Sequence, residues 1–143
     1  MKVIILDSQE SDRIIEHFIA YGFDSFISYG KVEKSYYAVN GISAIELNPV
    51  PVEGTMERIS KIRGSLNERF ILAYSTGIYD VDLDKLKSYH CEHQCILTLA
   101  IVENKLCAAI TEPEIFDYLD GLESLEREVF LKVAEAGEMQ IYK

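Results

Sequence analysis

The chain has 143 residues, of which 48% are hydrophobic and 27% charged, and this composition indicates a globular protein that we expect to form one domain over residues 1–143. A formal net charge of −10 argues against a nucleic-acid partner, because binding to phosphates requires a basic face. No run approaches the roughly 20 apolar residues that a membrane-spanning helix needs, so we expect no membrane partner.

Short β-rich runs alternate with stretches of helical periodicity along the chain. The predicted strands cover residues 3–6, 23–29, 41–47, 69–74, 95–102, 105–111 and 139–142. The predicted helices cover residues 12–22, 31–39, 56–66, 83–93, 113–121 and 125–137. This alternation predicts an α/β fold of the Rossmann-like kind, with three αβα layers around a mixed, mostly parallel sheet.

Capping and turn residues set several of these boundaries. We expect Asp82 to cap the helix that follows it, and Gly22 and Gly137 to close two other helices. The Glu103-Asn104 pair between two strands predicts a tight hairpin. The continuous apolar run at 69–74 favours a strand in the middle of the sheet.

The loop between the first strand and the first helix, residues 7–12, contains no glycine. Many α/β proteins place a glycine-rich phosphate cradle here, because glycine lets the backbone approach a phosphate closely. Asp7, Ser8, Ser11 and Asp12 are instead good helix caps and turn formers. The loop therefore favours a structural role over phosphate binding.

Three other clusters each have a structural and a functional interpretation. The basic cluster within residues 58–69 is either a solvated helix face or an anion site. The run DVDLD at 80–84 offers helix caps, and it lacks the glycine and glutamate of a calcium-binding EF-hand. The run HCEHQC at 90–95 is either a helix end or half of a zinc site whose second ligand pair is missing. With Cys107 the cysteines make an odd number, and without a signal-peptide pattern we expect reduced thiols and a cytoplasmic location.

Two stretches of the chain resemble the sugar-1-phosphate nucleotidyltransferase family, and most closely its glucose-1-phosphate cytidylyltransferase branch. The first is RFILAYSTGIYDVDLDKLKSYHCEHQCILTLAIV at 69–102, which is similar to that branch in its strand, Tyr-Gly-Asp-Gly motif, Asp-Val-Asp helix start and His-x-x-His helix end. The second is EPEIFDYLDGLESLEREVFLKVAEAGEMQIYK at 112–143, which is similar to the family's C-terminal part. The resemblance implies a trimmed nucleotide-diphospho-sugar transferase-like fold that lacks a long middle piece of the family.

The motifs that form the family's active site are changed in this sequence. Of the opening Gly-Gly-x-Gly-Thr-Arg loop only Arg13 is kept. The glycines and the threonine are replaced by Ser8, Gln9, Ser11 and Asp12. The metal-binding aspartate falls on Thr76, whose neutral hydroxyl is a poor Mg²⁺ ligand. The Thr-Gly-Gly-Arg motif keeps Thr55 and Arg58, and the Asn-Gly-Gly motif falls on 105–107.

These losses of family motifs together imply an inactive site with no catalytic residue and no metal site. The residues that the resemblance leaves as residual ligand contacts are Arg13, Thr55, Arg58, Thr76 and Asp80. We expect no cofactor, and Mg²⁺ would take part only if the chain is an active enzyme. A ligand cleft is expected at the carboxyl ends of the first and fourth strands, lined by residues 7–13 and 74–80.

Three functions are compatible with this pattern. The first is a catalytically inactive binding or interaction module in nucleotide-sugar or surface-polysaccharide metabolism, whose partner is a nucleotide, a sugar phosphate, another protein or a second copy of the chain. The second is a sensor that binds a nucleotide or sugar phosphate without turnover. The third is an active sugar-1-phosphate nucleotidyltransferase that holds Mg²⁺ on Asp80 or Asp82.

Overall fold

The computed structural model describes residues 1–6, 11–30, 32, 41–47, 54–74 and 76–143. The opening loop at 7–10 and, apart from Val32, the predicted helix at 31–39 lie outside the described residues. The described residues form seven strands, β1 (Lys2–Ile5), β2 (Ser25–Ser28), β3 (Ser43–Glu46), β4 (Phe70–Ala73), β5 (Leu97–Val102), β6 (Lys105–Thr111) and β7 (Met139–Tyr142).

These strands build one mixed sheet in the order β3-β2-β1-β4-β6-β5-β7. Only β6 runs antiparallel to its neighbours, β4 and β5, and all other pairs in the described sheet are parallel. The prediction of a mixed, mostly parallel sheet is therefore confirmed. β4 occupies the middle of the sheet, and all four of its residues are buried, as its apolar run predicts.

The described α-helices are α1 (Ser11–Ile19), α2 (Thr55–Lys61), α3 (Leu83–His93) and α4 (Phe130–Glu135). Shorter 3₁₀ turns lie at Arg63–Ser65, Thr76–Asp80 and Pro113–Tyr118, and a π-helical turn lies at Leu125–Val129. α3 has its predicted bounds, because the Asp82 carboxylate accepts a hydrogen bond from Lys85 N–H at 3.1 Å. The helix predicted over 56–66 ends early at Lys61, since Gly64 disfavours its continuation. None of the described helices is long and apolar enough to cross a membrane.

Side chains of successive strand residues point into two apolar layers on opposite faces of the sheet. On one face Ile5 packs with α1 and α3, which bury Phe18 among other residues. On the other face Ile4 packs with α2 and α4, which bury Val133 among other residues. The predicted αβα arrangement of three layers is therefore confirmed.

The predicted turns also have the expected backbone conformations. Gly22 and Gly137 follow α1 and α4 with φ of +88° and +75°, a left-handed conformation that glycine adopts without strain. Glu103 and Asn104 join β5 to β6 with φ of +51° and +63°. Two consecutive left-handed residues form the tight hairpin turn that matches the twist of the strands.

Candidate functional site

The carboxyl ends of three parallel strands meet at one edge of the sheet, which is where open α/β sheets bind ligands. β1, β2 and β4 lead there into Leu6, Tyr29 and Tyr74. Backbone hydrogen bonds extend the ladder by one residue, since Leu6 N–H donates to Ala73 O and Tyr29 N–H donates to Ile5 O, both at 3.0 Å. The backbone is therefore fixed at the point where these side chains leave the sheet.

Helix α2 brings Thr55 and Arg58 to the same edge. The helix follows Gly54, whose N–H donates to the Glu57 carboxylate across the first turn in a capping-box arrangement. A side chain at Gly54 would crowd this contact, because its Cβ would lie 3.0 Å from the carboxylate oxygen. Thr55 and Arg58 are three positions apart and therefore lie on one face of the helix.

Arg58 is held over the ring of Tyr29. Its Cζ lies 5.0 Å from the ring centre, which is within the range of a cation–π contact. Arg58 Nη1 donates to Leu6 O at 3.4 Å, and Tyr29 OH donates to Arg58 O at 2.9 Å. Arg58 Nε is buried and has no hydrogen-bond partner among the described residues. The guanidinium is thus fixed in place while part of its donor capacity is unused.

Glu126 supplies a negative charge beside these residues. Thr55 Oγ1 donates to its Oε1 at 3.2 Å, and Tyr74 OH donates to its Oε2 at 3.0 Å. The carboxylate is exposed to solvent, and each oxygen has a further lone pair for a ligand. The α2 site, as we name it, comprises Tyr29, Thr55, Arg58, Tyr74 and Glu126.

A π-helical turn over Leu125–Val129 presents Glu126 to the α2 site. Val129 N–H donates to Ser124 O, five residues back, at 3.2 Å. The turn is also capped, because Ser124 Oγ accepts from Arg127 N–H at 3.2 Å. Wide turns of this kind are rare and occur frequently at functional sites.

Burial raises the pKa of both phenols of the α2 site. It raises the pKa of Tyr74 well above the usual value, and the Glu126 carboxylate raises this pKa further through its charge and hydrogen bond. Burial also raises the pKa of Tyr29, although the nearby Arg58 cation opposes this effect. At neutral pH the site presents one carboxylate, one guanidinium and two phenol oxygens whose protons are already donated within the protein, and this set suits a ligand that carries hydroxyl groups and an anion.

An apolar cavity of about 350 Å³ adjoins the α2 site. Six apolar side chains line it, including Leu106 and Phe130, and its polar members are Glu126 and Arg127. This volume is at the lower end of the range of small-molecule pockets. A ligand held by Glu126 therefore has apolar space beside it.

The residues predicted as ligand contacts do not all gather at the α2 site. Thr55 and Arg58 belong to it, as described above. Arg13 lies on α1, which packs against the opposite face of the sheet from α2, and its Cζ is 5.1 Å from the ring centre of Tyr79. Asp80 is exposed and lines a different set of cavities. Thr76 begins the 3₁₀ turn that ends at Asp80.

Sequence reasoning missed two members of the α2 site, Tyr29 and Glu126. Tyr29 ends the predicted strand at 23–29, and an aromatic phenol at the carboxyl end of a parallel strand was a usable signal. Glu126 lies 71 positions from its partner Thr55, and no spacing rule connects them. Only the folded sheet edge brings the two together.

A second polar cluster, which we name the His90 network, lies at the opposite edge of the sheet, at the amino ends of β4 and β5. His90 is buried and makes two hydrogen bonds of 2.7 Å, through Nδ1 with Thr98 Oγ1 and through Nε2 with Glu112 Oε2. Arg69 Nε donates to the same Glu112 oxygen at 2.5 Å, and Arg69 Nη1 donates to Cys91 Sγ at 3.1 Å. The network ties the end of α3 to the sheet.

The charges of the His90 network are fixed by its contacts. Burial lowers the pKa of His90, and the hydrogen bond with Glu112 opposes this only in part. Burial alone would raise the pKa of Glu112, but the hydrogen bonds from Arg69 and His90 outweigh it, so that this pKa is lowered.

The run HCEHQC forms the end of helix α3, which is closed by Gln94 with φ of +50°. In the described part of the chain, no group of three or more His, Cys, Asp or Glu side chains is arranged to hold a metal ion.

Comparison with known proteins identifies the fold. No family model and no curated protein matches the sequence. A structure of a "putative glucose-1-phosphate thymidylyltransferase" from Bacillus anthracis, in complex with a sucrose, superposes with a TM-score of 0.63 over 99% of this chain and 85% of that chain, at 8% identity. A "putative nucleotide-diphospho-sugar transferase" from Desulfovibrio desulfuricans G20 gives 0.57 over 99% and 78%, at 10% identity. The chain has the nucleotide-diphospho-sugar transferase fold.

At these identities the likeness concerns the fold alone. In this nucleotide-diphospho-sugar transferase fold the α2 site lies at the carboxyl ends of β1, β2 and β4. The sequence predicts a ligand cleft at the carboxyl ends of the first and fourth strands. The expected lining of that cleft by residues 7–10 and Ser75 lies outside the described residues. The function of the chain must therefore be argued from the side chains of the site.

Proposed function

We propose that this chain is a binding module with a nucleotide-diphospho-sugar transferase fold that does not transfer nucleotides, and that it acts in nucleotide-sugar or surface-polysaccharide metabolism. The observation that carries the proposal is the donor set of the α2 site. Its one carboxylate, Glu126, is already hydrogen-bonded by Thr55 and Tyr74, and its other groups are a guanidinium and phenols. Such a set binds a polar ligand but does not gather the several oxygen ligands that Mg²⁺ prefers.

The absence of nucleotidyl transfer follows from the dependence of that chemistry on a metal ion. Phosphoryl and nucleotidyl transfer rely on Mg²⁺ to neutralise the charge that develops on the phosphates. In this sequence Thr76 stands where the resemblance implies the metal-binding aspartate. The assignment to nucleotide-sugar metabolism rests on analogy with proteins of the same fold.

The ligand class that we assign to the α2 site is a nucleotide or a sugar phosphate. Arg58 supplies a fixed positive charge for a phosphate group, and Glu126 supplies acceptors for sugar hydroxyls. The apolar cavity beside Glu126 accommodates the less polar face of the ligand. Two hydroxyl groups of a sugar can donate to the free lone pairs of the Glu126 carboxylate, in addition to Thr55 and Tyr74, which already donate to it.

Isothermal titration calorimetry tests the ligand class with CTP, CDP-glucose and glucose-1-phosphate, each in Mg²⁺ and in EDTA. We expect binding that is equal in both buffers and that Arg58→Ala weakens about tenfold or more, since a charged hydrogen bond contributes about 1.5–3 kcal/mol. Arg63→Ala is the matched control, because the Arg63 guanidinium also lies over an aromatic ring, 4.8 Å from the centre of Phe116. The absence of measurable binding for all three ligands would overturn the ligand class and would leave protein interaction as the function of the module.

A pyrophosphate-release assay tests the absence of turnover. The wild-type protein is incubated with glucose-1-phosphate, Mg²⁺ and each of the four nucleoside triphosphates in turn. We expect no pyrophosphate above the enzyme-free background. Release that disappears in Arg13→Ala would refute the proposal and would establish the active nucleotidyltransferase instead.

A further inference from the structure

A groove runs along the carboxyl-end edge of β5 and β7, beside α3. Three adjoining cavities of about 360, 180 and 390 Å³ form it. The first and second share Lys85 and Tyr142, and the second and third share Asp80 and Val102, so that each cavity lies beside the next. We name it the α3–β7 groove. No residue of the α2 site lines it.

Two tyrosines form a fixed aromatic wall in the groove. The rings of Tyr89 and Tyr142 meet edge to face, with centres 5.3 Å apart and planes at 63°. Tyr89 is held from two sides, because its OH donates to Ile141 O at 3.1 Å and its ring lies 4.0 Å from that of His93. The bond to Ile141 also occupies a backbone acceptor of β7. The wall therefore offers a partner in this groove two aromatic rings in a fixed relative orientation.

The rim of the groove is mainly acidic. Its charged side chains are the carboxylates of Asp80, Asp82, Asp84, Glu92 and Glu103 and the amines of Lys85 and Lys143. None of these carboxylates forms an ion pair within the described part of the chain. Asp82 caps α3, and Asp84 lies in the first turn of that helix, where its negative charge is favourable. The remaining carboxylates surround an aromatic wall and are available to a cationic partner.

We propose that the α3–β7 groove binds a basic peptide segment of a partner protein. Arginine and lysine side chains pair with carboxylates and also stack on tyrosine rings, and this groove offers both. The three adjoining cavities follow one another from Glu92 past Tyr142 to Asn104, an arrangement that suits an extended segment. The net charge of −10 attracts a basic partner over longer range. This inference does not depend on the function proposed for the α2 site.

The test is an NMR titration of the ¹⁵N-labelled protein with a synthetic octapeptide of alternating arginine and alanine, with an alternating glutamate–alanine peptide for comparison. We expect amide shift changes concentrated at residues 80–93, 101–104 and 140–143, and only with the basic peptide. The double variant Asp84→Asn/Glu92→Gln should weaken binding about threefold to tenfold, from two partly exposed ion pairs. Lys85→Glu should strengthen it.

Matched variants separate groove binding from general attraction to an acidic protein. Asp117→Asn/Glu123→Gln removes the same charge from exposed positions elsewhere, and Lys132→Glu adds the same charge on α4, which covers the other face of the sheet. We expect both controls to bind the basic peptide within about 1.5-fold of wild type, apart from the screened long-range effect. Equal losses in the two double variants, or shift changes scattered over the surface, would overturn the proposal. So would shifts at the groove with neutral maltotriose but not with the basic peptide, since that outcome marks a saccharide site.

Discussion

Replacing Glu112 by alanine should destabilise the protein by about 3 kcal/mol. The Glu112 carboxylate accepts from His90 Nε2 at 2.7 Å and from Arg69 Nε at 2.5 Å. His90 is only 1% exposed, and a buried donor that loses its partner costs about 1–3 kcal/mol. Arg69 is 35% exposed, so that water compensates part of its loss and about 0.5–1 kcal/mol is added.

Urea unfolding followed by circular dichroism at pH 7.5 measures this effect. Glu112→Gln should cost less than Glu112→Ala, because both hydrogen bonds end on the same Glu112 oxygen, so that an amide oxygen in that place can accept both and only the negative charge is lost. In a thermal melt the alanine variant should lose about 6–12 °C, from about 2–4 °C for each kcal/mol. Glu114→Ala is the control, since Glu114 is exposed in the 3₁₀ turn at Pro113–Tyr118 that directly follows Glu112. If Glu112→Ala and Glu114→Ala agree within about 0.5 kcal/mol, the His90 network does not stabilise the fold as argued.

Three further predictions concern the His90 network, the hydrogen bond between Tyr74 and Glu126, and the β5–β6 turn. Stability should fall as the pH drops below about 6.5, because burial lowers the pKa of folded His90 and the unfolded chain therefore takes up the proton first. The lowered pKa of Glu112 in the folded protein extends this loss of stability below pH 4.5. Thermal melts of His90→Asn should lack the part of the loss that begins near pH 6.5. Tyr74→Phe should cost about 1 kcal/mol in urea unfolding, and the cost should vanish in a Glu126→Ala background if their hydrogen bond is its cause. Glu103→Asn should raise the free energy of unfolding by about 0.5 kcal/mol, because asparagine adopts the left-handed conformation more readily, whereas Glu103→Ala should give no gain.

Local signals predicted most of the secondary structure of this chain. The bounds of α3 follow from its periodicity and from Asp82, and the central position of β4 follows from an uninterrupted apolar run. The helix expected at 56–66 was wrong in its second half, where Gly64 breaks a pattern that apolar spacing alone would continue. The π-helical turn at Leu125–Val129 has no sequence signature, because it depends on hydrogen bonds that Ser124 accepts and on packing against the sheet.

The candidate site could be predicted only within single elements. Thr55 and Arg58 were predicted together because the resemblance places them in one motif, and the structure puts both on one face of α2. Arg13 was grouped with them, although strand order separates them: α1 leads from β1 outward to β2, whereas α2 leads from β3 back to β4. Right-handed crossovers in opposite directions place the two helices on opposite faces of the sheet. That order is not readable from composition or periodicity, and the placement of Arg13 follows from it.

The same strand order separates the α2 site from the α3–β7 groove. Arg58 approaches the sheet edge from the face that α2 and α4 cover, whereas Tyr89 belongs to α3 on the other face. No side chain lines both sites, and β6 lies between the strands of the α2 site and those of the groove. We therefore expect Arg58→Ala to leave the affinity for the basic peptide within about twofold of wild type in the NMR titration, apart from the loss of one distant charge, which salt screens. A larger change at physiological salt would mean that the two sites are coupled through the sheet, and glucose-1-phosphate would then have to alter the peptide affinity by the same linkage.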